Sequence, residues 1–427
     1  MKLLEPISDA LTSLEARLAL TKSLSEAASM FHKEWMDAGR RAFEAQMQGR
    51  IDAVEAGVAG SRQIRTKPYH TPNGTIQLKR RVFDTPEGSR VIADEALGLP
   101  RDAWLPEVLE LGSALGVMCE FPNANRLFKR WTGVKVDERT LANQVEWAGS
   151  ALQEAEFAKP LVETAGPDSA LAKVVAFQRE KPRVYVGVDG ILTPANAGQG
   201  YKEALVGVVF LERDHRVLSP KRKEIRAKEY IATLLRRKDF GDRLAQVHSE
   251  VVGMVPHEVV VLADGARWIW EMAKELFPGC IEILDFFHVS EYVWEAARAC
   301  LPESSREAWA KEQQERLKQS RWEAVRSAAL ELPHTTEEAK KSVRDLRRYL
   351  KNNRTRIDYE TYLARGLMIG SGVVESSNRR VVAQRCKQAG MHWSLAGADA
   401  VMGLRAAYLS DSDRWKVHWQ AETPHAA

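Results

Sequence analysis

From Leu11 to about Val58, apolar residues recur at spacings of three or four, with charged residues between them and no proline. That spacing predicts one or two amphipathic helices. The pattern then turns to alternation. Thr75-Ile76-Gln77-Leu78-Lys79-Arg80 follows the turn-forming pair Asn73-Gly74, which predicts a small β element with basic residues, among them Arg81, on one face. Helical spacing returns in PNANRLFKRWTG (122–133) and VKVDERTLANQVEWAG (134–149). The first piece predicts a helix with Leu127, Phe128 and Trp131 on its apolar side, interrupted by Gly133. Asp137 is placed to cap a second helix holding Leu141, Val145 and Trp147. The pair fits a DNA-contacting helix-turn-helix, and equally a plain helical hairpin.

Near Lys181 the pattern becomes β-rich. Val184–Asp189, Lys202–Leu211 and Arg216–Leu218 predict three strands, EIRAKEYIATLLRR (224–237) a helix, Val259–Leu262 a strand, Ala266–Leu276 a helix and Ile281–Phe287 a strand. Strands followed by alternating helices and strands imply an α/β core. The glycines near Asp189 form no GxGxxG, and GxxxxGK[ST] is absent, so a nucleotide-binding Rossmann unit or P-loop is excluded. Leu301 to about Leu363, rich in Glu, Lys, Arg and Ala, predicts a helical insertion. A helix starting at Gly372 or Val373 and running to Lys387, a turn near Gly390 and a helix over Leu395–Leu409 follow. The tail after Ser410 frays unless Trp415 and Trp419 dock. The segments are therefore 1–98 (helices and small β element), 99–180 (helical, DNA-binding candidate), 181–300 (first part of the core), 301–365 (insertion), 366–410 (glutamate-bearing helix) and 411–427 (tail).

Charge adds little in total. Lys and Arg number 62 and Asp and Glu 58, a net of +4 over 427 residues, so the placement of basic residues matters more than their sum. Cys119, Cys280, Cys300 and Cys386 lie far apart with no CxxC, which argues against a cysteine zinc ribbon and for a reducing compartment. The first twenty residues mix acids into their apolar run, unlike a secretory leader, and no apolar run approaches the length of a membrane span. A soluble cytoplasmic protein without a membrane partner is the expectation.

Three carboxylates stand at telling places: Asp189 after VYVGV, Asp264 after VVVLA, and Glu375 one turn into a helix introduced by Ile369-Gly370-Ser371-Gly372. Taken singly, each also fits an exposed strand end or helix start. Converging, they would offer hard oxygen ligands suited to Mg²⁺ or Mn²⁺ and to two-metal phosphodiester chemistry. Arg379, Arg380, Arg385 and Lys387 surround the Glu375 helix and are candidates for DNA phosphates, or for a solvated basic face. Trp393 fits either base stacking or burial; Trp268 and Trp270 fit helix-on-sheet packing better than base reading.

VYVGVDG (184–190), VLADGARWIW (261–270), ILDFFHVSEYVW (283–294) and GLMIGSGVVESSNRRVVAQRCKQAGMHWS (366–394) together resemble bacterial insertion-sequence transposases of the Asp-Asp-Glu class. The likeness is particularly to the Kra group, related more distantly to Mutator-like transposases; LGLP (97–100) and FPNANRLFKRWTGVKV (121–136) extend it over most of the chain. The resemblance implies an RNase H-like fold in which Asp189, Asp264 and Glu375 are the catalytic, metal-holding acids, with a helical insertion before the glutamate helix. It brings in Asp285 and His288 as supporting candidates, Asp285 toward a water or the scissile phosphate, His288 toward phosphate or a carboxylate; a purely structural histidine is the other reading. Where relatives carry a cysteine-rich motif this chain has FDTPEGSRV (83–91), so no zinc site carries over. The implied activity is metal-dependent cleavage at the ends of a mobile element followed by strand transfer, acting on double-stranded end and target DNA. A homodimer or higher oligomer, associated with the nucleoid when on DNA, is implied with it. A nuclease without strand transfer and a domesticated DNA-binding protein are the alternatives.

Overall fold

The computed structural model describes residues 5–86, 88–159, 182–196, 200–219, 222–234, 237–253, 257–370, 372–388 and 390–420. The proposed boundary at 180/181, Ser371 and the end of the tail lie outside them. The chain divides into two compact units, residues 1–151 with 413–427, and residues 152–412.

In the first unit, helices α1 (Glu5–Leu18) and α2 (Leu24–Glu55) realise the opening amphipathic pattern, Ser23 capping α2 through the Glu26 amide. Strands β1 (Ser61–Thr71) and β2 (Gly74–Thr85) form an antiparallel hairpin closed at Thr71 and Gly74, with the short β3 (Gly88–Arg90) beside β2. Alternation along β2 buries Ile76 and Leu78 and exposes Gln77 and Lys79. Arg80 falls on the buried side and departs from the basic face expected of it. Its guanidinium ion-pairs with Asp94, on the short α3 (Ile92–Ala96), and lies over the Tyr69 ring. Helix α4 (Pro106–Met118) precedes the pair α5 (Phe121–Thr132) and α6 (Glu138–Phe157), the last of which runs on past residue 151 into the second unit. Gly133 ends α5 at φ 71°, and Asp137 accepts from the Thr140 amide at 2.8 Å, so the turn and the cap both stand where the sequence puts them. Trp131, assigned to the apolar side, is instead 56% exposed, and Trp147 is exposed as well. Leu141, Val145 and Phe128 already fill the space between the helices.

In the second unit β4 (Arg183–Pro194), β5 (Tyr201–Leu211), a ribbon β6 (His215–Ser219) and β7 (Arg222–Ile225), and β8 (Glu229–Thr233) lead to α7 (Arg237–Val252). Next come β9 (Glu258–Ala263), α8 (Arg267–Leu276), β10 (Ile281–Leu284) and α9 (Phe286–Cys300). The main sheet is mixed, in the order β10-β9-β4-β5-β8: β4, β5 and β8 are antiparallel, while β9 and β10 run parallel to β4. Two expectations need correction. Of the segment EIRAKEYIATLLRR, residues 224–234 are not helical; their centre is β8, every residue of which is buried, because pairing with β5 overrides helix propensity. The third strand of the sheet is therefore β8, and Arg216–Leu218 belongs to the separate ribbon. Likewise β10 stops at Leu284, and Phe286 and Phe287 begin α9 because the Asp285 side chain caps that helix.

The insertion is helical: α10 (Glu303–Lys318), α11 (Trp322–Leu330), α12 (Glu337–Asn352) and α13 (Tyr359–Ala364). After it come α14 (Gly372–Ser377), a π-helical turn over Asn378–Ala383, and α15 (Leu395–Leu409). Helix α16 (Arg414–Gln420) belongs to the first unit, where Trp415 donates to Glu110 at 2.9 Å and Trp419 is buried, so the tail aromatics dock.

Candidate active site

Strands β9 and β10 end at the same level, whereas β4, expected to stop at Asp189, passes that level and runs on to Pro194, because its pairing with β5 continues there. Val188 is in register with Ala263, and Ala263 with Leu284. Each is followed by an aspartate, Asp189, Asp264 and Asp285, so strand spacing of about 4.8 Å makes these carboxylates neighbours at one edge of the sheet. The Asp285 amide donates to the Ala263 carbonyl at 2.8 Å, which ties two of these ends together. Asp285 is only 1% exposed; its Oδ1 accepts from the Phe287 amide, and His288 Nε2 lies 3.7 Å from its Oδ2. Asp264 Oδ1 accepts from the Ala266 amide at 2.9 Å. Asp189 accepts from the Gly190 amide at 2.7 Å and from the Asn378 side-chain amide.

Burial is the first reason the Asp189 carboxyl is held above the usual carboxylate range, and the field of Asp264 adds to it. Asp264 is raised too, again by burial first, with Glu203 and Asp285 pushing in the same direction. The Gly190 and Ala266 amides and His288 oppose these shifts without cancelling them. Crowded, half-dry carboxylates of this kind are a cost to the fold and a normal feature of sites that receive cations.

Glu375 is held near this row by its helix and not by its own contacts. Gly187 on β4 has no Cβ, and one placed there would stand 2.3 Å from Val374 Cγ2, so α14 sits directly on the strand that carries Asp189. The Phe286 amide donates to the Ile369 carbonyl at 2.8 Å, bonding the segment before α14 to the start of α9. Asn378, one turn after Glu375 and on the same helix face, reaches Asp189, whereas the Glu375 side chain is exposed. The geometry thus gathers Asp189, Asp264, Asp285 and His288, and leaves Glu375 at the rim. Among the described residues no three His, Cys, Asp or Glu side chains stand close enough to hold one metal ion. The donor chemistry still fits a hard cation, since the paired carboxylates are oxygen-only ligands.

Of the four basic candidates, Arg379, Arg380 and Lys387 are exposed. Arg385 is 1% exposed with its guanidinium 4.8 Å from the centre of the Trp393 ring, so it faces the interior and not a phosphate. Trp393 and Trp270 are buried, and Trp268 packs edge-on against Phe240, as helix packing predicts.

Several residues at the site have no counterpart in the sequence reading. Asn378 was legible only as the residue three after Glu375. Glu203, on β5, lies over Gly190 and adds its charge to Asp264; its signal was the polar start of an otherwise apolar strand. Tyr292 on α9 and Tyr349 on α12 stack with ring centres 4.2 Å apart, and both feel the charge of Asp264. No curated protein matches the chain. Residues 62–423 match the model of a family described as Uncharacterised protein family (UPF0236), and by that match over most of its length the chain belongs to this family.

Proposed function

We propose that the protein is a DNA transposase with an RNase H-like core, cleaving at the ends of its mobile element and joining those ends to target DNA. The observation that carries this reading is the row of Asp189, within β4, and Asp264 and Asp285, just past the carboxyl ends of the parallel strands β9 and β10, with Glu375 on a helix seated on β4. The strand order supports it as well: three antiparallel strands, then two added in parallel beside the first. Membership of a family commonly found among mobile-element-associated proteins agrees with it.

In this reading Asp189, Asp264 and Glu375 would hold Mg²⁺, or Mn²⁺, which when bound would lower the pKa of an attacking water and stabilise charge on the phosphate. Water attacks the terminal phosphodiester; its oxygen bonds to phosphorus, and the bond to the 3′-oxygen breaks to give a free 3′-hydroxyl. That hydroxyl then attacks a target phosphodiester, so one phosphate ester is exchanged for another without net hydrolysis. His288, set against Asp285, is placed to orient that carboxylate or to meet a phosphate oxygen. Arg379, Arg380 and Lys387 provide the phosphate-facing charge, and α5 and α6 the contact with element ends. Two ends must be processed together, which calls for a homodimer or larger assembly.

The test is a linear double-stranded donor carrying the element's terminal repeats, incubated with Mg²⁺ and a target plasmid. Joined product is the expected outcome. Asp189→Ala and Asp264→Ala should each lower cleavage by at least about 100-fold while DNA binding persists. Cleaved but never joined donor would favour a nuclease, and full activity of either folded variant would refute the carboxylate assignment.

A further inference from the structure

The helical insertion delivers one side chain to the carboxylate row that no step of the proposed reaction uses. Tyr349, near the end of α12, has a buried hydroxyl whose oxygen faces the Gly265 backbone amide, while its own O–H proton meets no acceptor among the described residues. Its ring is fixed on two sides. It stacks on Tyr292 at 4.2 Å between centres, and a Cβ on Gly265 would stand 2.4 Å from its Cε2. Gly265 directly follows Asp264, so the ring lies on the backbone that carries that carboxylate. The absence of a side chain at 265 is what allows this approach. Asn353, one turn on, also borders Gly265 and anchors its own amide on the Tyr349 carbonyl at 3.1 Å.

A buried hydroxyl proton without an acceptor is costly, and proteins commonly relieve such groups with a bound water that has two or more further polar contacts. The negative charges of Asp264 and Asp285 both reach the Tyr349 hydroxyl. Burial and those charges keep it protonated, so it serves as a donor and never as a base. We propose that Tyr349 is a positioning residue of this site, its hydroxyl donating to a water shared with the Asp264 and Asp285 carboxylates. The hydrogen bond fixes the orientation of Asp264 and eases the repulsion between the two acids. Through it the insertion, otherwise a bundle of helices remote in sequence, has a direct hold on the reacting end of the sheet. This assignment rests on Asp264 being a metal-holding carboxylate.

Tyr349→Phe is the informative variant because it keeps the ring against Gly265 and Tyr292 and removes only the oxygen. Two measurements on the full chain separate the outcomes. Melting without divalent ions should show the variant a few degrees less stable than the parent, since the Gly265 amide and the water both lose their partner; an unchanged or higher melting temperature means that the hydroxyl makes no net bond and overturns the proposal. Titration with Mn²⁺ followed by calorimetry should show binding weakened by about tenfold or more, the size expected when a ligand loses its supporting partner. Equal Mn²⁺ affinity in the two proteins would show a structural hydroxyl only, and would also overturn it. If the parent binds no Mn²⁺, the metal reading of Asp264 fails, and the claim that Tyr349 positions a metal ligand fails with it; the melting comparison then still reports whether the hydroxyl is bonded.

Discussion

Asp189 and His248 show opposite costs of burying a titratable group. The Asp189 carboxyl titrates above its ordinary value because burial, and then Asp264, disfavour its charge. A folded-state pKa above the unfolded one means the folded chain holds the proton longer, so the metal-free protein loses stability as pH rises through that raised value. Asp189→Asn removes the charge and keeps the shape. It should raise the melting temperature at pH 7 while abolishing cleavage, a trade of stability against activity that a thermal melt and the donor assay measure together. A lower melting temperature in that variant would contradict the account. His248 has the reverse sign. It is buried, its Nε2 lies 2.8 Å from that of His257, and burial first and His257 second push its pKa down to about 4 from an ordinary 6.5. The unfolded chain therefore binds the extra proton first as pH falls below 6.5, and stability drains away until pH reaches about 4. At 1.36 kcal/mol per pKa unit the loss is roughly 3 kcal/mol. Urea unfolding of the parent and of His248→Gln at pH 7 and pH 4.5 checks it, with the variant showing the shallower decline.

The helix that carries Glu375 depends on a glycine in the strand beneath it. Gly187→Ala would drive a methyl group into Val374, and also to within 2.9 Å of Val208 Cγ1. The neighbours are packed β-branched side chains, so the helix must lift. The expected cost is about 1–3 kcal/mol of stability, with cleavage falling more than DNA affinity because Asn378 is drawn away from Asp189. Denaturant unfolding and the cleavage assay test this, and an unperturbed cleavage rate would show that the seating of α14 is unimportant. Such dependence could not be read from the sequence, where Gly187 is only a small residue within an apolar run. What was legible at this scale was whatever is decided locally. Gly133 and Asp137 fix a turn and a cap by backbone and side-chain chemistry of their own, and the apolar runs before Asp189 and Asp264 mark buried strands whatever surrounds them. What was not legible depends on distant partners. Glu229–Thr233 becomes a strand because β5 is there to pair with it, Arg80 is buried because Asp94 meets it, and Tyr349 lies beside Asp264 from 85 positions further along the chain.

For the molecule as a whole, 62 basic residues against 58 acidic ones leave no general attraction to DNA, so the proposed DNA binding would depend on where a few exposed cations stand. Arg379, Arg380 and Lys387 qualify by exposure beside the Glu375 helix; Arg385 does not, being enclosed against Trp393. This separates four residues that look alike in sequence into three exposed cations and one enclosed in packing. Each Ala variant of the first three that loses a phosphate contact should bind end DNA and unrelated DNA more weakly by a similar factor. Each should also reduce the slope of log affinity against log salt by about 1, the signature of one released counterion. Arg385→Ala should leave that slope unchanged and lower the melting temperature, because it removes a buried cation stacked on an aromatic ring. Affinities measured across a series of salt concentrations, alongside thermal melts, compare all four. Parent-like slopes in Arg379→Ala, Arg380→Ala and Lys387→Ala would remove this face from the DNA path and leave the charge a solvated helix surface. A reduced slope in Arg385→Ala with unchanged stability would instead mean that Trp393 releases it on binding DNA.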